Sequence, residues 1–405
     1  MRETKRCLAA ALALFAISAL NAQRPLDYTQ WRGRDRDGSA SGFIAPAAWP
    51  QALTRRWRVE VGEGYGTPLV VGDSVYVFTR RAEEEVLTAL DAGTGRERWR
   101  SGYTVAYAPS RPAAAHGAGP KATPLFHDGM LFTQGISGIV SAFEASGGKR
   151  LWQTRQPAEL PFFSAASSPA GEGGLVIVHP GNYEPLTAFD ARTGRVKWTA
   201  GPGGFFMSPL IATLDGVRQV VTVTQSSIIG VSLPDGHVLW QHRWDAGGTG
   251  GTMPLVYNGT IIAGGRDGIT ALRPARRGES WSVEPVWEAK ELAMYLSNPV
   301  VANDTVFGLS SRNSGQLFAI DARTGNVQWL GAPRHAANTA FVKADELLFL
   351  LDDDGELVVA RANARSFEPI AHYAVSQSAT WAQPAISGRR IFIKDVDSLT
   401  LWTVD

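Results

Sequence analysis

The chain has 405 residues, and its 39 Lys and Arg residues nearly balance its 38 Asp and Glu residues, for a formal net charge of +1 at pH 7. Such a balance provides no long-range field to attract nucleic acid or an anionic membrane, so we expect no nucleic-acid partner. The 43 glycines and 13 tryptophans, with 19% charged residues, are typical of tight turns between short packed strands.

Residues 1–22 predict a signal peptide. A basic start of Arg2, Lys5 and Arg6 precedes an uncharged apolar run from Leu8 to Leu20, and Ala22 offers a small residue for cleavage. This run of about 13 residues is too short to span a bilayer, so we expect no transmembrane span in the mature chain; an uncleaved anchor is the alternative. The only cysteine, Cys7, is not placed for lipid attachment at the cleavage point. We therefore expect a periplasmic or secreted protein without disulfides.

A repeated motif dominates the rest of the chain. Three segments match AxDxxTGxxxW without gaps, namely Ala89–Trp99, Ala188–Trp198 and Ala319–Trp329, and Ala142–Trp152 and Gly230–Trp240 are eroded copies. A second marker is a small or polar residue that usually precedes proline, and it occurs at Thr67, Thr123, Ser168, Ser208, Met253, Asn298, Thr339 and Gln383. The markers lie about 40 to 56 residues apart, which is typical of propeller blades.

The chemistry inside one repeat predicts four strands. In the first repeat these are Pro68–Val71, Val75–Thr79, Val86–Asp91 and Glu97–Arg100, with a tight turn before the last. The final repeat, from Gln383, supplies only three strands, whereas Arg55–Val61 is an unpaired strand near the start. Together they would complete a blade and remove the open edge. We therefore predict an all-β, eight-bladed β-propeller of four-stranded antiparallel blades over residues 53–405, after an N-terminal extension at residues 23–52.

These motifs resemble a known family. AxDxxTGxxxW is similar to the repeat of the pyrroloquinoline-quinone (PQQ) quinoprotein propellers and of their non-catalytic relatives, which include the lipoprotein of the outer-membrane β-barrel assembly machinery. Trp31–Gly38 and Gly119–Pro124 resemble segments of bacterial exported PQQ-binding-like β-propeller repeat proteins. The resemblance covers Trp31 to the C-terminus. It implies the fold and leaves the activity open, because a fold does not determine a function.

In such propellers the loops between blades lie on one face, at the mouth of the central channel. The resemblance implies that the residue before each inner strand lies there: Tyr65, Lys121, Ser167, Met207, Thr252, Ser297, Asn338 and Trp381. Lys121, Trp381, Ser297 and Asn338 are our candidates for binding a cofactor or ligand, with a water-filled structural channel as the alternative. The longest loop between blades is predicted at Ser101–Lys121.

Other residues at the mouth give weaker signals. His116, His179 and His335 fall in mouth loops but lack metal-site spacing, so we expect no metal. The consecutive acids of residues 352–355 predict a solvated turn rather than a calcium loop. Phenylalanine pairs in residues 161–168 and 201–207 would suit a bound ring or strand, or would cap the core. We assign no catalytic residue, because the chain has no hydrolase, nucleotide-binding or zinc motif.

Two main hypotheses for function follow. The first is a non-catalytic binding or scaffolding propeller of the bacterial cell envelope, monomeric, with an envelope protein or small molecule at the mouth. The alternative is a PQQ-dependent quinoprotein dehydrogenase that oxidises an alcohol or sugar; another propeller enzyme is a third reading. The resemblance implies that such a dehydrogenase stacks PQQ on tryptophan and holds calcium with Glu, Asn and Asp. No such triad aligns here, so we expect no cofactor, with PQQ and calcium as the alternative.

Overall fold

The structure, a computed structural model, describes residues 26–157, 163–181, 183–204, 207–244 and 252–405. The predicted signal peptide, residues 1–22, lies outside these ranges. Within them the chain forms eight four-stranded antiparallel sheets, which confirms the predicted eight-bladed propeller. Across the same residues, we find no helix with the length and apolar character needed to cross a membrane.

Blades 1 to 4 follow in chain order, each with its innermost strand first. Strand β1 is Thr54–Glu60. Blade 1 consists of β2 Leu69–Val71, β3 Ser74–Arg81, β4 Glu84–Asp91 and β5 Glu97–Thr104; blade 2 of β6 Leu125–His127, β7 Met130–Gln134, β8 Val140–Glu144 and β9 Arg150–Gln153. Blade 3 consists of β10 Ala170–Glu172, β11 Leu175–Val178, β12 Leu186–Asp190 and β13 Val196–Ala200; blade 4 of β14 Leu210–Leu214, β15 Val217–Val223, β16 Ser227–Ser232 and β17 Val238–Arg243.

Blades 5 to 8 complete the ring. Blade 5 consists of β18 Leu255–Tyr257, β19 Thr260–Gly265, β20 Gly268–Arg277 and β21 Ser280–Ala289; blade 6 of β22 Val300–Ala302, β23 Thr305–Ser310, β24 Gln316–Asp321 and β25 Val327–Pro333. Blade 7 consists of β26 Thr339–Ala344, β27 Leu347–Asp352, β28 Glu356–Arg361 and β29 Glu368–Ala374; blade 8 of β30 Ala385–Ser387, β31 Arg390–Lys394, β32 Ser398–Thr403 and β1. Short 3₁₀ helices lie at Arg111–His116 and Arg312–Ser314.

The ring closes between the two ends of the propeller. Strand β1 pairs antiparallel with β32, from Thr54 opposite Thr403 to Glu60 opposite Ser398. This confirms that the N-terminal strand completes the last blade. Because β1 precedes blade 1 in the chain and pairs within blade 8, this pairing ties the first blade to the last.

The predicted strand boundaries of blade 1 differ from the structure by at most two residues, except at the end of the outer strand, where the difference is four. The outer strand was expected to end at Arg100, but β5 continues to Thr104, which pairs with Glu84. The physical reason is Tyr103, which is buried and donates a hydrogen bond to Glu85 Oε2 at 2.6 Å. Tyr103 therefore belongs to the blade rather than to the loop that follows it.

Tryptophan side chains join successive blades on the face opposite the mouth. The ring of Trp287 lies against Gly325 in the turn of the next blade, and its indole N–H donates to the carbonyl of Ala322 at 3.0 Å. The indole groups of Trp57, Trp152 and Trp198 make equivalent bonds, at 3.2, 2.8 and 3.0 Å, to Ala92, Ala191 and Leu233. The repeat thus specifies the contact between blades as well as the turn itself.

The second sequence marker also joins neighbouring blades. The backbone N–H of Thr67 donates to Thr123 Oγ1 at 2.9 Å, and that of Thr123 donates to Ser168 Oγ at 3.0 Å. The N–H of Ser168 donates in turn to Ser208 Oγ at 2.9 Å. A hydroxyl before the inner strand therefore satisfies a buried amide of the preceding blade, which explains the preference for Thr and Ser at this position.

Replacing Gly325 by alanine tests the tryptophan contact. Gly325 has a φ of +73°, and an added Cβ would lie 2.5 Å from the Trp287 ring. The control is Gly216→Ala, because Gly216 has a φ of +75° with no atom near an added Cβ. We expect the control to lower the free energy of unfolding by about 1–2 kcal/mol and Gly325→Ala by about 2 kcal/mol more. Equal losses in urea unfolding would contradict the role of the ring.

Candidate functional site

The N-terminal segment at residues 26–44, which we call the channel segment, fills the space between the innermost strands. The N–H of Tyr28 donates to the carbonyl of Val70 in blade 1 at 2.7 Å, and that of Ala40 donates to the carbonyl of Lys343 in blade 7 at 2.8 Å. On blade 2, the N–H of Phe126 donates to the carbonyl of Thr29 at 2.8 Å. The chain's own backbone therefore occupies the channel, where an open water-filled passage had been one expectation.

Two arginines of the channel segment are buried against inner-strand carbonyls. Arg32 Nη2 donates to the carbonyl of Pro299 at 2.5 Å. Arg36 donates to Pro169 at 2.8 Å and to Ser168 at 3.1 Å. Burial lowers the pKa of Arg32 to about 10 and that of Arg36 to about 9, so both guanidinium groups stay charged at neutral pH. The segment thereby places two positive charges on the channel axis.

A cavity of about 280 Å³ opens above this segment, and we call it the mouth cup. Its aromatic lining residues are Trp31, Tyr65, His116, Phe163, Tyr295, Phe341 and Trp381, and its cationic ones are Arg32 and Lys121. None of its described lining residues is Asp or Glu. The cup is therefore a partly aromatic, electropositive cavity closed on the channel side by Trp31 and Arg32.

One wall of the cup consists of three adjacent aromatic rings beside Lys121. The rings of His116 and Trp381 meet edge to face at 4.7 Å, and those of Tyr65 and His116 at 6.3 Å. Lys121 Nζ donates to the carbonyl of Phe163 at 3.4 Å. Burial lowers the pKa of Lys121 to about 8, and burial followed by the charge of Lys121 lowers the pKa of His116. At neutral pH the wall therefore carries a charged Lys121 beside a mostly neutral His116.

The structure separates the four candidate residues into two groups. Lys121, Trp381 and Asn338 line the mouth cup, but Ser297 does not. Ser297 Oγ donates to Asn338 Oδ1 at 2.9 Å and accepts the N–H of Thr339 at 3.0 Å. Ser297 is therefore a buried link to blade 7 rather than part of the cavity surface.

The remaining four positions of the predicted ring divide in the same way. Tyr65 and Met207 line the cup. Ser167 Oγ instead accepts the backbone N–H of His179 at 3.3 Å, and Thr252 Oγ1 donates to the carbonyl of Gly264 at 3.4 Å. Each of these hydroxyls is thus engaged by its own blade.

The three mouth histidines have separate environments. His179 is buried beside Thr222 Oγ1 at 2.9 Å, and burial lowers its pKa to about 4. His335 Nε2 lies 3.1 Å from Asp352 Oδ2. Across the described residues, no group of three or more His, Cys, Asp or Glu side chains could hold a metal ion. Asp352 is buried and accepts the Thr339 hydroxyl at 2.5 Å, so the expectation of a fully solvated turn was wrong there.

Sequence reasoning did not place Trp31 and Arg32, which form the floor of the cup. They belong to the motif Trp31–Gly38, which carried the family resemblance but had no assigned position in the fold. A usable signal was present in its two glycines and three arginines, an unusual density for an extension outside the blades. Gly33 and Gly38 both have positive φ, which lets the segment turn within the narrow channel.

Comparison with known proteins gives a consistent family. A sequence profile of PQQ repeats, described as outer membrane protein assembly factor BamB, matches residues 51–116 and 82–331. BamB of Yersinia pestis is 25% identical over 257 residues, covering 59% of this chain and 63% of that protein. Among solved structures, BamB from Moraxella catarrhalis has a TM-score of 0.62 at 16% identity, covering 87% of this chain and 98% of that one. Quinohemoprotein alcohol dehydrogenase from Comamonas testosteroni has 0.67 at 14% identity, covering 96% and 82%.

The fold and the repeats define an eight-bladed propeller of the PQQ-repeat class. Because the profile matches more than half of the chain, the protein belongs to the outer membrane protein assembly factor BamB family. This confirms the resemblance read from the repeats. The alignment spans less than two thirds of the Yersinia protein, and likeness to the solved structures shows the fold alone.

The lowered pKa of Lys121 predicts its reactivity. We expect acylation of Lys121, followed by mass spectrometry across pH, to rise with a midpoint near 8, because the neutral amine is the nucleophile. Lys394 is a matched control: burial lowers its pKa to about 8 as well, but it is only 1% exposed and should react only on unfolding. A midpoint for Lys121 near 10.4, that of an ordinary lysine, would contradict the buried setting.

Proposed function

We propose that this protein is a non-catalytic, monomeric binding propeller of the bacterial cell envelope that serves as an assembly factor for outer membrane proteins. The observation that carries the proposal is the mouth face, which combines exposed apolar side chains with a cup that has no carboxylate among its described lining residues. Such a surface suits binding, whereas a calcium-assisted oxidation needs carboxylates to hold the metal ion. The predicted export to the periplasm agrees with this role.

The apolar side chains lie on loops around the cup. Tyr295 and Leu296, between blades 5 and 6, are 37% and 39% exposed, and Tyr183 in blade 3 is 61% exposed. The guanidinium of Arg266 lies 4.6 Å from the centre of the Tyr295 ring. Exposed aromatic and aliphatic groups around a cavity are typical of sites that bind another protein. The relatives named as assembly factors support an envelope protein as the partner.

The residues of the cup do not fit a calcium-bound quinone. Calcium prefers six to eight or so oxygen ligands, with carboxylates prominent among them. The described lining offers amide, hydroxyl and carbonyl oxygens but no carboxylate, and it adds the positive charges of Arg32 and Lys121. Those charges would repel a divalent cation, so the donor set argues against the dehydrogenase alternative.

Site-specific photo-crosslinking in the living cell tests the proposed partner surface. A photo-reactive amino acid in place of Leu296 should give adducts with outer-membrane assembly proteins, identified by mass spectrometry. Val196, which is 56% exposed at the start of an outer strand, is the matched control position. We expect at least fivefold more adduct from position 296 than from position 196. Equal adduct from both positions, or none to an envelope protein, would overturn the assembly role.

Reconstitution tests the enzymatic alternative directly. We expect the purified protein, incubated with micromolar PQQ and calcium, to oxidise neither alcohols nor sugars in a dye-linked assay. A quinoprotein dehydrogenase of known activity, loaded in parallel, shows that the assay works. Turnover by this protein, with a bound-quinone absorbance that depends on calcium, would contradict the non-catalytic proposal.

A further inference from the structure

The described lining of the mouth cup is net positive, and nearby acids compensate that charge only in part. Arg32 is fully buried, and its Nη1 has no hydrogen-bond partner among the described residues. Arg36 lies close by in the channel segment, and its Nε also has no hydrogen-bond partner among the described residues. Asp37, one of three aspartates in the channel segment, lies 3.0 Å from Lys343 Nζ, and its charge also raises the pKa of Arg32 against the larger lowering by burial. The Arg32 guanidinium stays protonated while Asp37 is also paired with Lys343, so the two cations share one carboxylate.

Lys121 adds a second cation at the cavity wall. Its ammonium group has three donors, and the one acceptor found for it among the described residues is the carbonyl of Phe163 at 3.4 Å. Neither Asp nor Glu belongs to the described lining. Partly buried cations are normally paired, because an unpaired charge loses solvation without gaining an interaction. The two cations on the lining therefore point to an anionic ligand.

The remaining lining selects the shape of that ligand. Trp381, Tyr65 and Phe163 contribute ring surfaces to the same cavity that contains Lys121. The edge-to-face contact of His116 with Trp381, at 4.7 Å and 86°, fixes these two rings relative to each other. Pre-positioned ring surfaces favour a planar apolar body over a flexible one. The volume of about 280 Å³ limits that body to a small molecule.

We propose that the mouth cup is a binding site for a small aromatic carboxylate. Its carboxylate lies toward Lys121 and the Arg32 guanidinium, and its ring lies among Trp381, Tyr65 and Phe163. The site does not depend on the docking of an envelope protein to the rim around Leu296. If the carboxylate binds but position 296 gives no crosslink to an envelope protein, the binding site stands and the assembly role is rejected. If crosslinks form but the carboxylate does not bind, the assembly role stands and the binding site is rejected.

Titration calorimetry with matched probes tests the site in the purified mature chain. The probes are 2-naphthoate, its neutral analogue 2-naphthamide, and inorganic phosphate. We expect 2-naphthoate to bind at least tenfold more tightly than either of the others, because only it supplies both the charge and the ring. Equal affinity for naphthoate and naphthamide, equal affinity for phosphate, or no binding of naphthoate at millimolar concentration overturns the proposal.

Variants locate the binding to the cup. Lys121→Met keeps the length of the side chain and removes its charge, so it should weaken 2-naphthoate at least tenfold and leave 2-naphthamide unchanged. Trp381→Leu should weaken both probes, with a retained cooperative melt showing that the ring of blades is intact. Lys149→Met is the control, because Lys149 is exposed in the turn before the outer strand of blade 2. Unchanged naphthoate binding by Lys121→Met, or an equal loss in Lys149→Met, would place the site elsewhere.

Discussion

What fills the centre of this propeller depends on hydrogen bonds from two buried guanidinium groups to carbonyls at the start of the inner strands. Arg32 binds the carbonyl beside blade 6, and Arg36 binds two carbonyls beside blade 3, on the other side of the ring. These bonds hold the channel segment on the axis. The floor of the mouth cup and the positive charge of Arg32 both follow from that position, so the chemistry of the cup depends in part on the channel segment.

The repeat and the cup are chemically separate. The repeat residues build the ring through turns such as Asp91–Gly95, in which Asp91 Oδ1 accepts the N–H of Thr94 at 2.9 Å, and through the tryptophan that lies against the next turn. These groups are on the opposite face from the cup. Membership of a PQQ-repeat family therefore explains why the blades close, whereas ligand preference is set by loops and by the channel segment.

The fold was predictable because its signals are local and repeated. The turn of each AxDxxTG copy and the marker residue before each inner strand recur at a regular spacing, and the unpaired strand containing Trp57 required a partner at the C-terminus. Lys121 and Trp381 could be placed at the mouth for the same reason, since their positions follow from the repeat, and they stay candidates for binding a ligand. Arg32 could not be placed, because its contact with Pro299 joins residues 267 apart and no repeat relates them. Ser297 was misplaced because a hydroxyl beside a cavity and one buried between blades give the same sequence signal.

Hydrogen exchange of the channel segment, read by mass spectrometry on the full chain, tests the central claim most directly. The amide of Tyr28 is bound to Val70, that of Gly38 to Arg32, and that of Ala40 to Lys343. The account predicts that peptides from residues 26–44 exchange as slowly as those from the inner strand Thr339–Ala344. Complete exchange of these peptides within seconds at neutral pH, while the blades remain protected, would contradict a filled channel and with it the floor of the cup.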